Sequence, residues 1–530
     1  IFQIYHPGQV QYQETRPKTI NELTVEELRV IQDKYAAAAR RAFLAGADGV
    51  DVHMAHTYLL CQFLSPYFNH RTDQYGCATA EQSLCFALEC IKKIRKVTPP
   101  DFILTTKINA RDFVEGGMMP GRAAKIAALL EQAGIAMITV SGGGNQTDIT
   151  GMSADGNRME GWKVADCKKI KQAVSIPVAA SGSIRHPWFV ERCLAEGACD
   201  VVSMGRTLLA EPHWIQKVRE GRENELRYCI SCLHCLNDTK PGVPGCSVNP
   251  LCCMETEHFE LHNNGDGRSV VVVGAGPAGL ECAITLAQRK FAVTIYEREQ
   301  EIGGMMTLAA VPPGKQKLRW MLDFYRKQID VLGIRLVLAH TVSAEELAAE
   351  HPCAVVVASG SNAWFPPIPG IDHANVCSVR DILRERSTLC NRKIAVLGGG
   401  LTGLECARML SRQGNFVTVL EMAQEPQTPS LEVKLARRYA LEDGVVLRYN
   451  HRVTEIKDNT VQAVDTASQQ TVSVPADNVI VSLGVRPENN LYRELSAQLA
   501  HVYQVGDCAE IGKIMTAISA GSRLGYELEL

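Results

Sequence analysis

The chain has 530 residues, room for about three or four domains, with 46% hydrophobic and 21% charged residues. A net charge of −3 without a long basic run excludes a nucleic-acid footprint, and no apolar stretch reaches the ~18–20 residues that span a bilayer. The 19 cysteines, many of them single in apolar patterns (Cys90, Cys193, Cys282, Cys406), argue against a secreted disulfide framework and for a reducing, cytoplasmic compartment.

Residues 1–210 alternate apolar strand runs with amphipathic helical runs. Strands are predicted at 1–5, 49–53, 103–108, 136–140, 177–181 and 200–204, and helices over 25–45 and 121–133. This βα repeat predicts an α/β domain with a parallel sheet and helices outside, a (β/α)8 TIM barrel. Six strands are visible where such a barrel has eight, so two further βα units upstream of Ile1 are expected; an open six-stranded sheet is the alternative. Polar residues follow the strand ends, where a barrel keeps its site, and His53, His56 and Tyr58 stand at the end of the second strand. The barrel is assigned to 1–222, a connector to 223–268, and the remaining parts to 269–390, 391–475 and 476–530.

The connector carries Cys229, Cys232, Cys235 and Cys246 in the run Cys-x2-Cys-x2-Cys-x10-Cys. Structural zinc usually takes two separated Cys pairs, whereas three close cysteines with a distant fourth fit four thiolates on a 4Fe-4S cluster. Zinc and unrelated buried thiols remain alternatives, and Cys252 and Cys253 are rival ligands.

From residue 269 the pattern changes to a buried strand, a tight glycine turn and a helix. The first turn is Gly274-x-Gly276-x-x-Gly279, with Glu297 ending the next strand; the second is Gly398-x-Gly400-x-x-Gly403, with Glu421 in the same role. Such glycines let backbone N–H groups reach a pyrophosphate at a helix N-terminus, and the acid accepts hydrogen bonds from a ribose diol. No Arg adjoins Glu421 to meet a 2′-phosphate, so NADH is favoured over NADPH at the second site.

The tandem units resemble the flavoprotein disulfide-reductase-like fold, in which the NAD domain is inserted into the FAD domain, which implies FAD-binding parts at 269–390 and 476–530 and an NAD(P)H-binding domain at 391–475. Its closing motif matches Val502-Tyr503-Gln504-Val505-Gly506-Asp507, which implies that Gly506 and Asp507 lie at the flavin, with Asp507 on the ribityl chain. The first half resembles the old yellow enzyme family, particularly its long iron–sulfur members such as 2,4-dienoyl-CoA reductase, clostridial enoate reductase and the bile-acid-inducible NADH-dependent oxidoreductases. The matching runs are Gln3-Ile4-Tyr5-His6-Pro7-Gly8, residues 46–76, SGSIRHP at 181–187 and VVSMGRTLLAEP from 201.

The resemblance implies FMN in the barrel, with Gln3 at its pyrimidine edge and Lys107 beside N1/O2. Ser181, Gly182, Ser183, Gly205 and Arg206 would then lie at its phosphate. His53 and His56 would hold a substrate carbonyl while Tyr58 supplies a proton, reducing the C=C of an α,β-unsaturated carbonyl compound. Electrons would pass from NADH to FAD, the 4Fe-4S cluster and FMN. An amine dehydrogenase resembling trimethylamine dehydrogenase shares this architecture and is one alternative; a truncated, inactive nucleotide-binding paralogue is another. Neither nucleic acid nor membrane is an expected partner, and homo-oligomerisation is left open.

The chain departs from the family pattern in several places. Met54 and Thr57 replace two glycines around the histidines; Cys77-Ala78-Thr79-Ala80-Glu81-Gln82 replaces a run that ends in Asn-Arg; the second cysteine gap is two residues; and Gly142-Gly143-Gly144-Asn145-Gln146 lacks the histidine of some dienoyl-CoA reductases. The last difference favours an enoate or enone reductase of the bile-acid or cinnamate type.

Overall fold

The computed structural model describes residues 1–7, 18–236, 245–254, 260–385 and 389–530; Gly8 lies outside them. The chain forms two compact units, Ile1–Thr207 and Leu208–Leu530. The first is a TIM-barrel-like sheet of six parallel strands in sequential order: β1 (Phe2–Ile4), β2 (Gly49–Met54), β3 (Ile103–Arg111), β4 (Met137–Gly142), β5 (Val178–Ala180) and β6 (Val201–Val202). The strands begin and end within a few residues of their predicted places.

Alternation explains the sheet. In β2, Val50, Val52 and Met54 are fully buried and join Leu104, Ile108, Ile138 and Val140 in one apolar core with the helices. The residues between them carry polar groups that meet across the strands. Gln3, Asp51 and Thr105 share one register, and both Gln3 Nε2 and Thr105 Oγ1 donate to Asp51 (2.7 and 2.8 Å). His53, Lys107 and Thr139 form the next register. Val25–Leu44 is closed by a capping box of Thr24 and Glu27, which satisfies N–H groups a helix leaves open.

The departure at 77–82 is locally self-sufficient. Thr79 caps Ala80–Val97 by accepting from Gln82 N (3.1 Å), and Gln82 Nε2 reaches back to the Asp73 carbonyl (3.0 Å). A guanidinium still reaches this segment, because Arg122 Nη2 donates to the Cys77 and Thr79 carbonyls.

The second unit holds two five-stranded parallel sheets. The first contains β7 (Ser269–Val273), β8 (Ala292–Tyr296), β9 (Arg335–Val337) and β10 (Ala354–Val357), with Val502–Gln504 pairing to β10 from far along the chain. The second sheet, built on Lys393–Leu397 and Phe416–Leu420, lies between those segments in sequence. All 19 cysteines are free thiols. Among the described residues no helix is long and apolar enough to cross a membrane.

Candidate active site

β2 ends at Met54, and the chain then turns through two consecutive left-handed residues, His56 (φ 61°) and Thr57 (φ 63°). A β-branched residue in this region is strained. The neighbouring loop makes room: a Cβ on Gly144 would lie 2.5 Å from Thr57 Cγ2 and 2.7 Å from the His56 carbonyl oxygen. Thr57 Oγ1 donates to that carbonyl (2.5 Å). The bulk that replaces a family glycine at 57 is thus accommodated by a glycine on the loop after β4. Asn109 adds a tie, accepting from His56 N (3.2 Å) and donating to the Gly143 carbonyl (3.0 Å).

This turn brings three rings together. His53 and His56 meet edge to face at 5.0 Å, Tyr58 lies 4.9 Å from His53, and Tyr5 packs 4.9 Å from Tyr58. His53 is 3% exposed and its Nδ1 has no hydrogen-bond partner. Burial, with Lys107 on the adjacent strand, lowers His53 to about 4. His56 is lowered further, to about 2, by burial and then by His53, Lys163 and Lys107. Both imidazoles are therefore neutral near pH 7, each with one N–H to donate. Burial and Tyr5 raise the Tyr58 phenol, which keeps its proton.

The other barrel residues lie at the same strand ends. Ser181 donates to the Val140 carbonyl (2.7 Å). Gly182 (φ 137°) and Ser183 (φ 56°) form a turn with positive φ, and Arg206 Nη2 donates to Ser183 Oγ (2.8 Å). Nothing lies within 4 Å of where a Gly205 Cβ would project. Hydroxyl, guanidinium and free space at this face make a donor set that fits a phosphate. The Gln3 amide nitrogen is bonded to Asp51, which leaves its oxygen for a further partner.

Two residues with no motif around them join the site. Ser141, near the end of β4, lies 2.7 Å from His56 Nε2, and Lys163 Nζ donates to Ser141 Oγ at 3.1 Å. Ser141 had a legible signal, a polar residue at a barrel strand's C-terminal end. Lys163 had none, because it stands outside every strand and turn pattern.

In the second unit the two glycine turns are built alike. A Cβ on Gly274 would lie 2.4 Å from the Ala358 carbonyl oxygen, and one on Gly279 only 2.1 Å from the Gly274 oxygen. Gly398 and Gly403 repeat this at 2.3 Å from the Ser482 oxygen and 2.1 Å from the Gly398 oxygen. Gly276 and Gly400 face open space at the starts of Pro277–Gln288 and Leu401–Arg412, the room a pyrophosphate needs. Glu297 accepts from Ala275 N (2.7 Å) and Glu421 from Gly399 N (2.7 Å). Gly506 (φ 76°) precedes Asp507, whose carboxylate accepts from Ser361 Oγ and Gly512 N, each at 3.1 Å.

Cys229, Cys232 and Cys246 pack against the core of this unit, and Cys232 Sγ lies 3.3 Å from Ser247 Oγ. Burial first, and the neighbouring Cys229 and Cys232 among other groups, hold the Cys246 thiol up at about 11. Among the described residues no three His, Cys, Asp or Glu side chains converge on a single metal-ion position. The loop is anchored by Arg227, whose guanidinium makes a two-pronged bond to Glu281 (2.9 and 3.0 Å) on the helix after the first glycine turn. Tyr325 OH donates to the same carboxylate (2.9 Å).

Comparison with known proteins agrees with both units. Residues 4–225 match the NADH:flavin oxidoreductase / NADH oxidase family, and residues 268–522 match pyridine nucleotide-disulphide oxidoreductase. The chain is 35% identical to an NADH oxidase of Thermoanaerobacter brockii, over 97% of this chain and 79% of that one. It is 33% identical to a bilirubin reductase of Mediterraneibacter gnavus (93% and 77%). Among solved structures, a 2-naphthoyl-CoA reductase bound to 2-naphthoyl-CoA superposes with a TM-score of 0.89 at 30% identity, over 99% of this chain and 80% of that one.

Proposed function

Because this chain belongs to the NADH:flavin oxidoreductase / NADH oxidase family and is an NAD(P)H-dependent flavin oxidoreductase, we propose that it reduces the C=C of an α,β-unsaturated carbonyl compound, an enoate, enone or enoyl thioester, at the face bearing His53, His56 and Tyr58. The observation that carries the reading is the meeting of two neutral imidazoles, His53 buried and His56 half-buried, with a protonated phenol at the end of a parallel strand.

In this reading Ser181, Gly182, Ser183, Gly205 and Arg206 hold the FMN phosphate, and Lys107 and Gln3 meet its ring. Gly274, Gly276, Gly279, Glu297, Gly506 and Asp507 hold FAD. Gly398, Gly400, Gly403 and Glu421 hold NADH, and Cys229, Cys232, Cys235 and Cys246 hold a 4Fe-4S cluster. When bound, these groups supply hydride acceptance at FAD, one-electron transfer at the cluster and hydride donation at FMN.

The chain's own residues do the rest. His53 and His56 each donate one N–H to the substrate carbonyl oxygen. As negative charge grows on that oxygen, two donors fixed before the reaction stabilise it without reorganising. Tyr58 delivers its proton to Cα.

The test is anaerobic turnover of the holoprotein with NADH and either 2-cyclohexen-1-one or cinnamate, read as loss of the conjugated C=C absorbance, with trimethylamine as the opposing substrate. Flavin, iron and zinc are quantified in the same sample. Flavin reduction by the amine, or turnover without loss of the C=C, ends the proposal.

A further inference from the structure

Lys163 is the N-cap residue of Val164–Lys171 and is 3% exposed. Its Nζ donates to Ser141 Oγ at 3.1 Å and to the Met152 carbonyl at 3.5 Å. Among the described residues no carboxylate pairs with it. Asp166, one turn further along the helix, is bonded to Arg111; Asp148 is bonded to Arg158, and Glu160 to His186. The charged groups that face it are cations, Lys107 from β3 and Arg206 from Arg206–Ala210. The Trp162 ring lies 5.2 Å from Nζ, and His56 stands beyond Ser141. An ammonium buried among cations is costly, so its retention calls for a role.

We propose that Lys163 is a positioning residue that acts through Ser141 on His56, fixing the imidazole as the Nδ1–H tautomer that donates to the substrate carbonyl. The inference rests on the reading of His56 given above. Its logic is a count of protons. An ammonium only donates, so Ser141 Oγ accepts from Lys163, and the single hydroxyl proton is free to point at His56 Nε2. Nε2 is then an acceptor, and the ring proton sits on Nδ1.

A neutral amine removes this constraint. The Ser141 proton can turn to the Lys163 lone pair, Nε2–H then donates to Ser141, and Nδ1 no longer has a proton for the carbonyl. Burial, reinforced by Arg206 and Lys107, brings Lys163 down to about 7, so the change of tautomer falls near neutral pH. His53, which Asp51 and Lys107 face across the strands, titrates well below this range.

The experiment follows the holoprotein and its K163M, K163R and S141A variants from about pH 5.5 to about pH 9. One readout is kcat for 2-cyclohexen-1-one with NADH. The other is affinity for 2,4-dinitrophenolate, an anion across this range whose phenolate oxygen imitates the enolate oxygen. In the parent, kcat and affinity should both fall as pH rises through about 7. K163M and S141A should lose this limb and bind the phenolate about tenfold more weakly at low pH. K163R should keep the low-pH activity and carry it past the parent's limb. Flavin content reports whether each variant is folded, and S141A breaks the same link without removing a charge.

A parent whose limb and phenolate affinity are matched by both K163M and S141A overturns the relay and leaves the assignment of His56 standing. A parent that neither binds the phenolate nor reduces the enone overturns that assignment, and the relay with it.

Discussion

In the first nucleotide turn, Glu297 reaches the N–H of Ala275 across 22 residues of chain, and in the second Glu421 reaches Gly399 across the same 22. In the barrel unit, Ser141 reaches His56 across 85. The two nucleotide sites are each closed by one strand, one turn, one helix and the strand that follows. The third glycine of each turn is dictated by the carbonyl oxygen of the first, at 2.1 Å from where its Cβ would project, so the spacing survives as a pattern even though the first glycine faces a carbonyl from a distant strand end. The barrel site is assembled from the ends of separate strands, and its contacts depend on sheet register and on loops that meet only after the sheet exists. Locally encoded chemistry can thus be read from a chain directly, while chemistry encoded by register needs the fold.

The largest effect expected of this contrast is that the two regions fail separately. Replacing Tyr58 by Phe removes the proposed proton donor and should lower enone reduction by about 10²–10⁴-fold. Transfer from NADH to a soluble acceptor such as ferricyanide should stay at the parent rate, because the second unit is intact. Stopped-flow traces of both half-reactions check this. An equal loss in the two assays would mean that the site in the barrel is not where reduction of the C=C takes place.

The glycine turn breaks in a different way. Gly279→Ala places a Cβ 2.1 Å from the Gly274 carbonyl oxygen, an overlap that backbone cannot relieve cheaply, and should cost about 1–3 kcal/mol of stability along with bound FAD. Gly276→Ala meets nothing within 4 Å. It should leave denaturant unfolding of the FAD-free protein unchanged while still weakening FAD, since the added methyl stands in the space assigned to the pyrophosphate. Should Gly276→Ala retain FAD at parental affinity, the cofactor lies elsewhere.

These differences set what the sequence could say. All six barrel strands were legible because the βα period and the apolar runs of β2, β3 and β4 are strong, and the helices 25–44 and 120–132 came within a residue of expectation. That His53, His56 and Tyr58 would meet was legible because they crowd one strand end within six residues of chain. Lys163 was not, since a lysine after a tryptophan in a loop looks like any solvated cation, and only the fold buries it against Gly182 and Ser141. Nor could the sequence show how Thr57 is tolerated, because the compensation lies at Gly144 on another loop. The bond from Arg227 to Glu281 was equally silent: both residues sit in patterns whose other members, the cysteines and the glycines, drew the reading.

Acid should expose the barrel site's cost of keeping two neutral imidazoles. His53 and His56 have folded pKa values below the 6.5 of a free imidazole, at about 4 and about 2. Above pH 6.5 neither state binds the proton and the full stability is present. As pH falls below 6.5 the unfolded chain takes up protons that the folded site refuses, so stability is lost progressively towards pH 4 and below. Near pH 5.5 the two together should cost the barrel unit about 2–3 kcal/mol relative to pH 7. Urea midpoints for the parent and His56→Gln measure it. The variant should show a shallower acid loss, and a loss as steep as the parent's would place the acid sensitivity in other groups.

The smallest effect expected is the sharpest probe of the register-built site. At Thr57 a glycine would remove the strain of a β-branched residue at φ 63°, a gain of about 1–2 kcal/mol. Against this stand the greater freedom of glycine in the unfolded chain, about 0.5–1 kcal/mol, and the lost bond from Thr57 Oγ1 to the His56 carbonyl. The net change in stability for Thr57→Gly should therefore lie within about 1 kcal/mol of zero. Activity should respond more, because that hydroxyl and the contact with Gly144 help hold the backbone on which the His56 ring is aimed. A fall in kcat with unchanged urea midpoint is the expected pair of results, and it would show that Thr57 is kept at a strained position to aim His56. Were kcat to stay level while stability rose, the strain at Thr57 would be incidental to the chemistry, and the tie through Asn109 alone would be enough to place the ring.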